Sequence, residues 1–302
     1  MRCALTLSGA LSIGTSNAFT AGTIELGAAT DTTLSRGAAG FIAVEGNRVP
    51  SPASQASGDT LYRGSTEWER LAKGTAYQLL RMNSGATAPE WATAREVLTA
   101  NRTYYVRTDG SGSNTGLVDS AGGASLTIAQ AMTAAAALDC STYDLTVQVR
   151  DGTFTGAFSL PLMIGSGTFT LLGNTTTPAN CIISKTGSDA IPATDCGSWT
   201  VRGFKLQTTT SGHGIAANGR TTIRFNTIDF GTVAGAHHIY AAFGANVLIT
   251  GNYSITGASA YAHMTAAFGG YIQNYSTTVT LTGTPAFSIF ALATGAAKID
   301  SG

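Results

Sequence analysis

Beyond Glu96 the chain has no glutamate, and its carboxylates there are nine aspartates spread from Asp109 to Asp300. Hydrolysis of a glycosidic bond needs two carboxyl groups at a defined separation across the sugar. Most of these aspartates stand in stretches that read as turns or caps, which leaves Asp189, Asp195 and Asp229 as the candidate catalytic acids. No spacing among them makes a pair. Elimination chemistry on an acidic polysaccharide would need clustered acids for a Ca²⁺ ion with a base nearby, and the acids are too sparse for that. Glu67, Glu69 and Glu90 read as solvated strand faces, because nothing beside them supplies a base, a nucleophile or a metal ligand.

The histidines carry a pattern. His213, His238 and His263 recur every 25 residues, with His237 beside the second. A column of imidazoles is open to a metal, a pH response or a sugar contact. Stacked repeats also line up like residues merely because each repeat offers the same environment, and a structural ladder is the reading adopted. Phe243 and Phe268, also 25 apart, read as core or corner packing. Trp199, Tyr240, Tyr253, Tyr261, Tyr271 and Tyr275 are the candidates for stacking on saccharide rings. No metal site and no cofactor is expected.

The same period aligns Ala217, Ala242 and Ala267, and Gly219, Gly244 and Gly269. A fixed repeat of this size marks a solenoid, whose units bury their apolar faces only by stacking. Short runs such as Thr222–Phe225 and Val247–Thr250, broken by Gly, Asn and Ser, favour strands and exclude helical repeats. The fold class expected is therefore all-β, a parallel β-helix with about 25 residues per coil and strands stacked about 4.8 Å apart. Residues 174–178 and 189–195 read as protruding loops, and 187–199 as the first place for ligand contact. One helix is expected: Thr127 and Gln130 have capping-box spacing, and Ile128, Ala131, Met132, Ala135 and Leu138 follow helical periodicity. A lone helix ahead of so many strands is suited to covering the open end of the solenoid.

Composition narrows the partners. The chain has 37 Gly, 11% charged residues and zero formal net charge, so a nucleic-acid partner is not expected. No stretch reaches the roughly 18 apolar residues of a membrane span, and residues 1–18 lack the continuous apolar core of a signal peptide. The four cysteines have neither metal spacing nor a dense disulfide pattern, and read as buried thiols of a protein assembled in a reducing cytoplasm. Residues 20–60 have too few large apolar side chains to close a core within one chain, which predicts burial against symmetric copies.

Two stretches resemble known proteins. The segment TAGTIELGAATDTTLSRGAAGFIAVEGNRVP from Thr20, followed by DTLYRGSTEWERLAKGTAYQLLRMNSGATAPEWA from Asp59, resembles shaft and connector modules of tailed-bacteriophage tail fibres. Residues 102–302 resemble right-handed β-helix domains of the pectate-lyase-like type found in phage tailspikes. The resemblance implies three parts: an extended anchor over 1–60, a connector over 61–100 and a helix-capped β-helix over 101–302. It also implies a homotrimeric tail fibre or spike that joins other tail or baseplate proteins through residues 1–60 and meets a host surface glycan or protein. A polysaccharide-degrading tailspike and a capsid fibre or purely structural appendage are the alternatives.

Overall fold

In the computed structural model the chain packs as two compact units, residues 1–94 and 95–302. The structure describes residues 56–301 except 67 and 276, together with the backbone of four short strands at 23–25, 33–38, 41–44 and 47–48. Those four form an antiparallel sheet in sequence order. The expected intertwining of residues 20–60 and the state of Cys3 lie outside the described residues.

The connector consists of two antiparallel hairpins, Thr60–Arg63 with Trp68–Leu71 and Gln78–Met82 with Pro89–Thr93. Asp59 ties the first together by accepting from the backbone N–H of Ala56 and Lys73 and from Arg70 Nε. From residue type alone Leu61, Trp68, Leu71, Leu79, Leu80, Met82 and Trp91 read as the buried side chains of this module. Instead Leu61, Trp68, Leu79, Leu80 and Met82 are exposed, and Leu71 and Trp91 are half-buried. Two-stranded ribbons cannot enclose their own apolar faces.

The second unit is a parallel β-solenoid of about 6 turns. Each full coil has three walls. The first runs through Arg102–Ser111, Leu145–Val149, Phe169–Leu172, the start of Gly197–Thr208 and of Thr221–Val233, then Asn246–Ile249, Tyr271–Asn274 and Lys298–Ser301. The second stacks Gly152–Phe154, Cys181–Lys185, the ends of those two long strands, Tyr253–Ile255 and Val279–Leu281. The third stacks Ile191–Thr194, Ile215–Asn218, Ile239–Ala242, Ala262–Ala267 and Ile289–Ala293. Alternate side chains point inward, and Ile215, Ile239, Val247, Phe225, Leu206 and Ile183 are among those fully buried in one continuous core. The long strands bend between walls at Gly203 (φ 79°) and Thr227 (φ 53°).

The helix α1 spans Ile128–Ala136 and lies against the first coil through Ile128, Ala131, Met132 and Ala135. Thr127 caps it by accepting from Gln130 N–H at 3.2 Å, while the Gln130 side chain accepts from Leu126 N–H and donates to the carbonyls of Ser111, Gly112 and Asn114. One residue thus fixes both the helix start and the loop beside it. Leu138–Asp139 then pairs with Glu96–Val97.

Two expectations are corrected by the register. Ile215 pairs with Ile239, Ile239 with Met264 and Met264 with Ala291, so coil length drifts around 25 instead of holding it. His213 therefore lies opposite His237, and His238 opposite His263. Likewise Ala217 pairs with Ala241, while Ala242 pairs with Ala267. Residues 191–194, expected within a loop, are a strand of the third wall whose Ile191 and Ala193 are buried.

Candidate functional site: an aromatic face on the third wall

The outer face of the third wall is built from small residues framed by rings. Ala216, Ala242, Ala267 and Thr265 point away from the core cluster yet are almost inaccessible. Along one edge His213 and His237 stack at 5.4 Å between ring centroids, and Tyr240 lies flat on His213 at 4.5 Å. Tyr261 is exposed and tilts against His237 at 5.6 Å.

At the opposite edge Phe243 and Phe268 lie parallel, 5.2 Å apart and 5° from coplanar alignment, and are 63% and 60% exposed. Of the two readings, core or corner packing, the structure has the corner: the rings stack on each other there and face solvent. Their backbone explains why. The corner column is Asp195, Gly219, Phe243, Phe268 and Gly295, all left-handed, with φ of 49°, 65°, 54°, 47° and 58°. Glycine adopts this conformation freely and aspartate tolerates it, whereas a bulky side chain costs about 1–2 kcal/mol there. Glycines flank the pair in the column, so neither neighbour lays a side chain over a ring.

The other predicted ring residues divide. Tyr275 is exposed, and Tyr271 is half-buried on the first wall with its hydroxyl donating to Asp300 at 2.9 Å. Trp199 and Tyr253 are not available to a ligand. Trp199 is sealed inside the solenoid, its indole N–H donating to the Pro161 carbonyl at 2.9 Å. Tyr253 packs edge-on against Phe225 and Phe230, and its phenol is pushed above its usual range by burial. Both sit on inward positions of their strands, which the aromatic residue type alone did not reveal.

The histidines serve as acceptors between coils. Asp189 Oδ1 takes the His213 backbone N–H at 2.7 Å, His213 Nδ1 takes that of His237 at 3.3 Å, and His237 Nδ1 takes that of Ala262 at 3.2 Å. His238 and His263 are fully buried and form a directed chain. Because the Gly231 carbonyl can only accept, His238 carries its proton on Nε2 (3.1 Å), which leaves Nδ1 to accept from His263 Nδ1 at 2.9 Å. His263 Nε2 then accepts the Tyr253 hydroxyl at 2.8 Å. Every ring nitrogen in the chain of contacts is used with both imidazoles neutral.

The three candidate acids are held apart. Asp189 and Asp195 flank opposite ends of Ile191–Thr194, and Asp195 accepts the Arg220 backbone N–H at 2.9 Å. Asp229 is buried on the second wall, 3.5 Å from Lys205 Nζ, and accepts from the Thr256 hydroxyl at 2.7 Å. Among the described residues no three His, Cys, Asp or Glu side chains converge as a metal site. Cys140, Cys181 and Cys196 are buried thiols, and burial pushes that of Cys181 up to about 12.

One feature escaped the sequence. Arg107, Asp109, Asp119, Arg150 and Asp151 meet beside the first three coils, next to a groove of about 640 Å³. Val106 pairs with Val149 and Gln148 with Leu172, which stacks Arg107, Arg150 and Asn174 in one column. The coils there share no residue pattern, so only the register brings these side chains together. Comparison with protein-family models, curated proteins and solved structures finds no match.

Proposed function

We propose that the chain is a subunit of a bacteriophage tail fibre or spike whose solenoid holds a host-surface glycan against the aromatic third wall. The observation that carries the binding role is the Phe243–Phe268 pair. Exposed apolar rings in a strained backbone oppose folding twice over, and such strain collects at ligand sites. Sugar rings present C–H faces that pack on aromatic surface, and Tyr261 and Tyr240 add hydroxyl-bearing rings across the same face. Cleavage is the weaker reading, because Asp189 and Asp195 are engaged as backbone caps and Asp229 by Lys205.

The double substitution Phe243→Ala, Phe268→Ala is expected to leave the fold intact and to weaken binding to immobilised bacterial lipopolysaccharide or capsular polysaccharide at least tenfold. Equal binding by parent and variant across such a panel would remove the aromatic face from the function.

The subunit assembles as a homotrimer and joins other tail or baseplate proteins through residues 1–60. The exposed Leu61, Trp68, Leu79, Leu80 and Met82 of the connector support this, since symmetric copies can cover what one chain leaves open. Mass measurement in solution should give three chains per particle; a stable folded monomer would contradict it.

A further inference from the structure

The groove beside the first coils is preorganised before any ligand arrives. Arg107 grips Asp109 through Nε (2.8 Å) and Nη2 (2.9 Å) and reaches Asp119 with Nη1 at 3.4 Å. Asp119 also holds Arg150, whose guanidinium lies 5.8 Å from the centre of the Tyr105 ring. On the far side Asn174 donates to Asp151 Oδ1 at 2.9 Å while its own Oδ1 accepts from the backbone N–H of Thr176 and Thr177. Both walls are therefore fixed by contacts within the protein.

These contacts leave capacity unspent. Arg107 engages each of its three nitrogens, but among the described residues Arg150 donates to protein only through Nη2, and Asp151 accepts only on Oδ1. Arg150 Nε and Nη1 and Asp151 Oδ2 thus offer donors and an acceptor on adjacent strand ends, with the Thr108 and Thr175 hydroxyls beside them. Two guanidinium groups face three carboxylates, which disfavours an anionic ligand. Paired donors and acceptors without excess positive charge suit vicinal hydroxyl groups, each of which donates and accepts.

We propose that this groove is a second saccharide subsite, taking a neutral, hydroxyl-rich sugar at a place separate from the aromatic face. The proposal rests on the reading of the chain as a glycan binder and adds where, and with what charge preference, a second contact is made. Two weak contacts on one rigid solenoid raise affinity for a long polymer well beyond that for a short one.

The test uses the full chain, titrated by ligand-observed NMR with neutral hexose and N-acetylhexosamine trisaccharides and with uronic-acid trisaccharides. It is run in parent protein and in the Phe243→Ala, Phe268→Ala background. Asp151→Ala removes the acceptor, and Thr175→Trp fills the groove from an exposed loop position that folding does not depend on. In the Phe243→Ala, Phe268→Ala background at least one neutral trisaccharide is expected to bind, to lose tenfold or more in affinity with Asp151→Ala and to stop binding with Thr175→Trp, whereas in the parent the aromatic face keeps residual binding when the groove is filled. In the phenylalanine-free background uronic-acid sugars should bind at least tenfold more weakly. If Asp151→Ala and Thr175→Trp change nothing while the phenylalanine substitutions abolish binding, the groove proposal fails and the aromatic-face reading stands. If the groove variants abolish binding and the phenylalanine variants do not, the reverse holds. Preference for uronic acids, or no binding by any sugar, also overturns the proposal.

Discussion

Lowering the pH from 7 to 4 is expected to loosen the coils between Gly212 and Ala267, because every histidine in the protein holds its neighbours through an unprotonated nitrogen. Burial pushes His213 and His238 from an ordinary 6.5 down to about 4, lowers His237 and holds His263 well below the usual range. Asp189 beside His213 and Asp229 near His238 oppose this, and the like-charged imidazole His237 reinforces it. With folded values depressed, the unfolded chain binds protons first as pH falls. The stabilisation is fully present above about pH 6.5 and drains away down to pH 4, by roughly 3 kcal/mol each for His213 and His238. Urea midpoints at pH 7.0, 5.5 and 4.5 should fall in step, with local opening around residues 237–267. A midpoint that holds steady from pH 7.0 to 4.5 would show that the rings accept protons without loosening the coils.

Replacing Trp199 by Ala should cost about 3–5 kcal/mol, the range for removing a large buried aromatic side chain. Trp199 packs 5.9 Å from Phe169 and pins the Pro161 carbonyl of the preceding coil's connection, so its loss leaves a cavity next to Leu160 and Met163. Trp199→Phe keeps most of the packing and forfeits the hydrogen bond, for about 1–2 kcal/mol. Thermal or urea unfolding separates the two variants, and glycan binding per folded molecule should match the parent in both. A binding loss in Trp199→Phe without a stability loss would return this residue to the ligand site.

The solenoid, the single helix and its Thr127 cap were legible because each depends on residue type at short range: β-branched runs between glycines, and a polar side chain ahead of a helical stripe. What the sequence misplaced depends on register. A strict period of 25 put His213, His238 and His263 in one column, whereas the first of those steps is a residue shorter and sets His213 against His237. Since side chains alternate along a strand, that single residue decides between the half-exposed stack of His213 on Tyr240 and the sealed pair His238–His263. The same blindness assigned Trp199 and Tyr253 to the surface and left Phe243 and Phe268 between core and corner with no sign of their exposure. The left-handed corner that turns the phenylalanines outward is a backbone property, and its only trace in the sequence is the glycine and aspartate at equivalent positions. The Arg107–Arg150–Asn174 column left no trace, because two arginines and an asparagine stack there across coils of unequal length, 43 and then 24 residues apart.

Coil length also says where the chain accepts new material. From the third wall to the first the step is constant: Ile215 to Thr222, Ile239 to Asn246, Met264 to Tyr271 and Ala291 to Lys298 each advance seven positions. From the first wall to the second it lengthens, from Thr222 to Asp229, then Asn246 to Ser254, then Tyr271 to Thr280. The bend after the first wall absorbs extra residues without turning any strand inside out, while the phenylalanine corner has no slack. A short foreign peptide grafted between Thr250 and Asn252 would be displayed on the surface with both flanking walls in register, and the same graft at Gly244 would dismantle the aromatic face it adjoins.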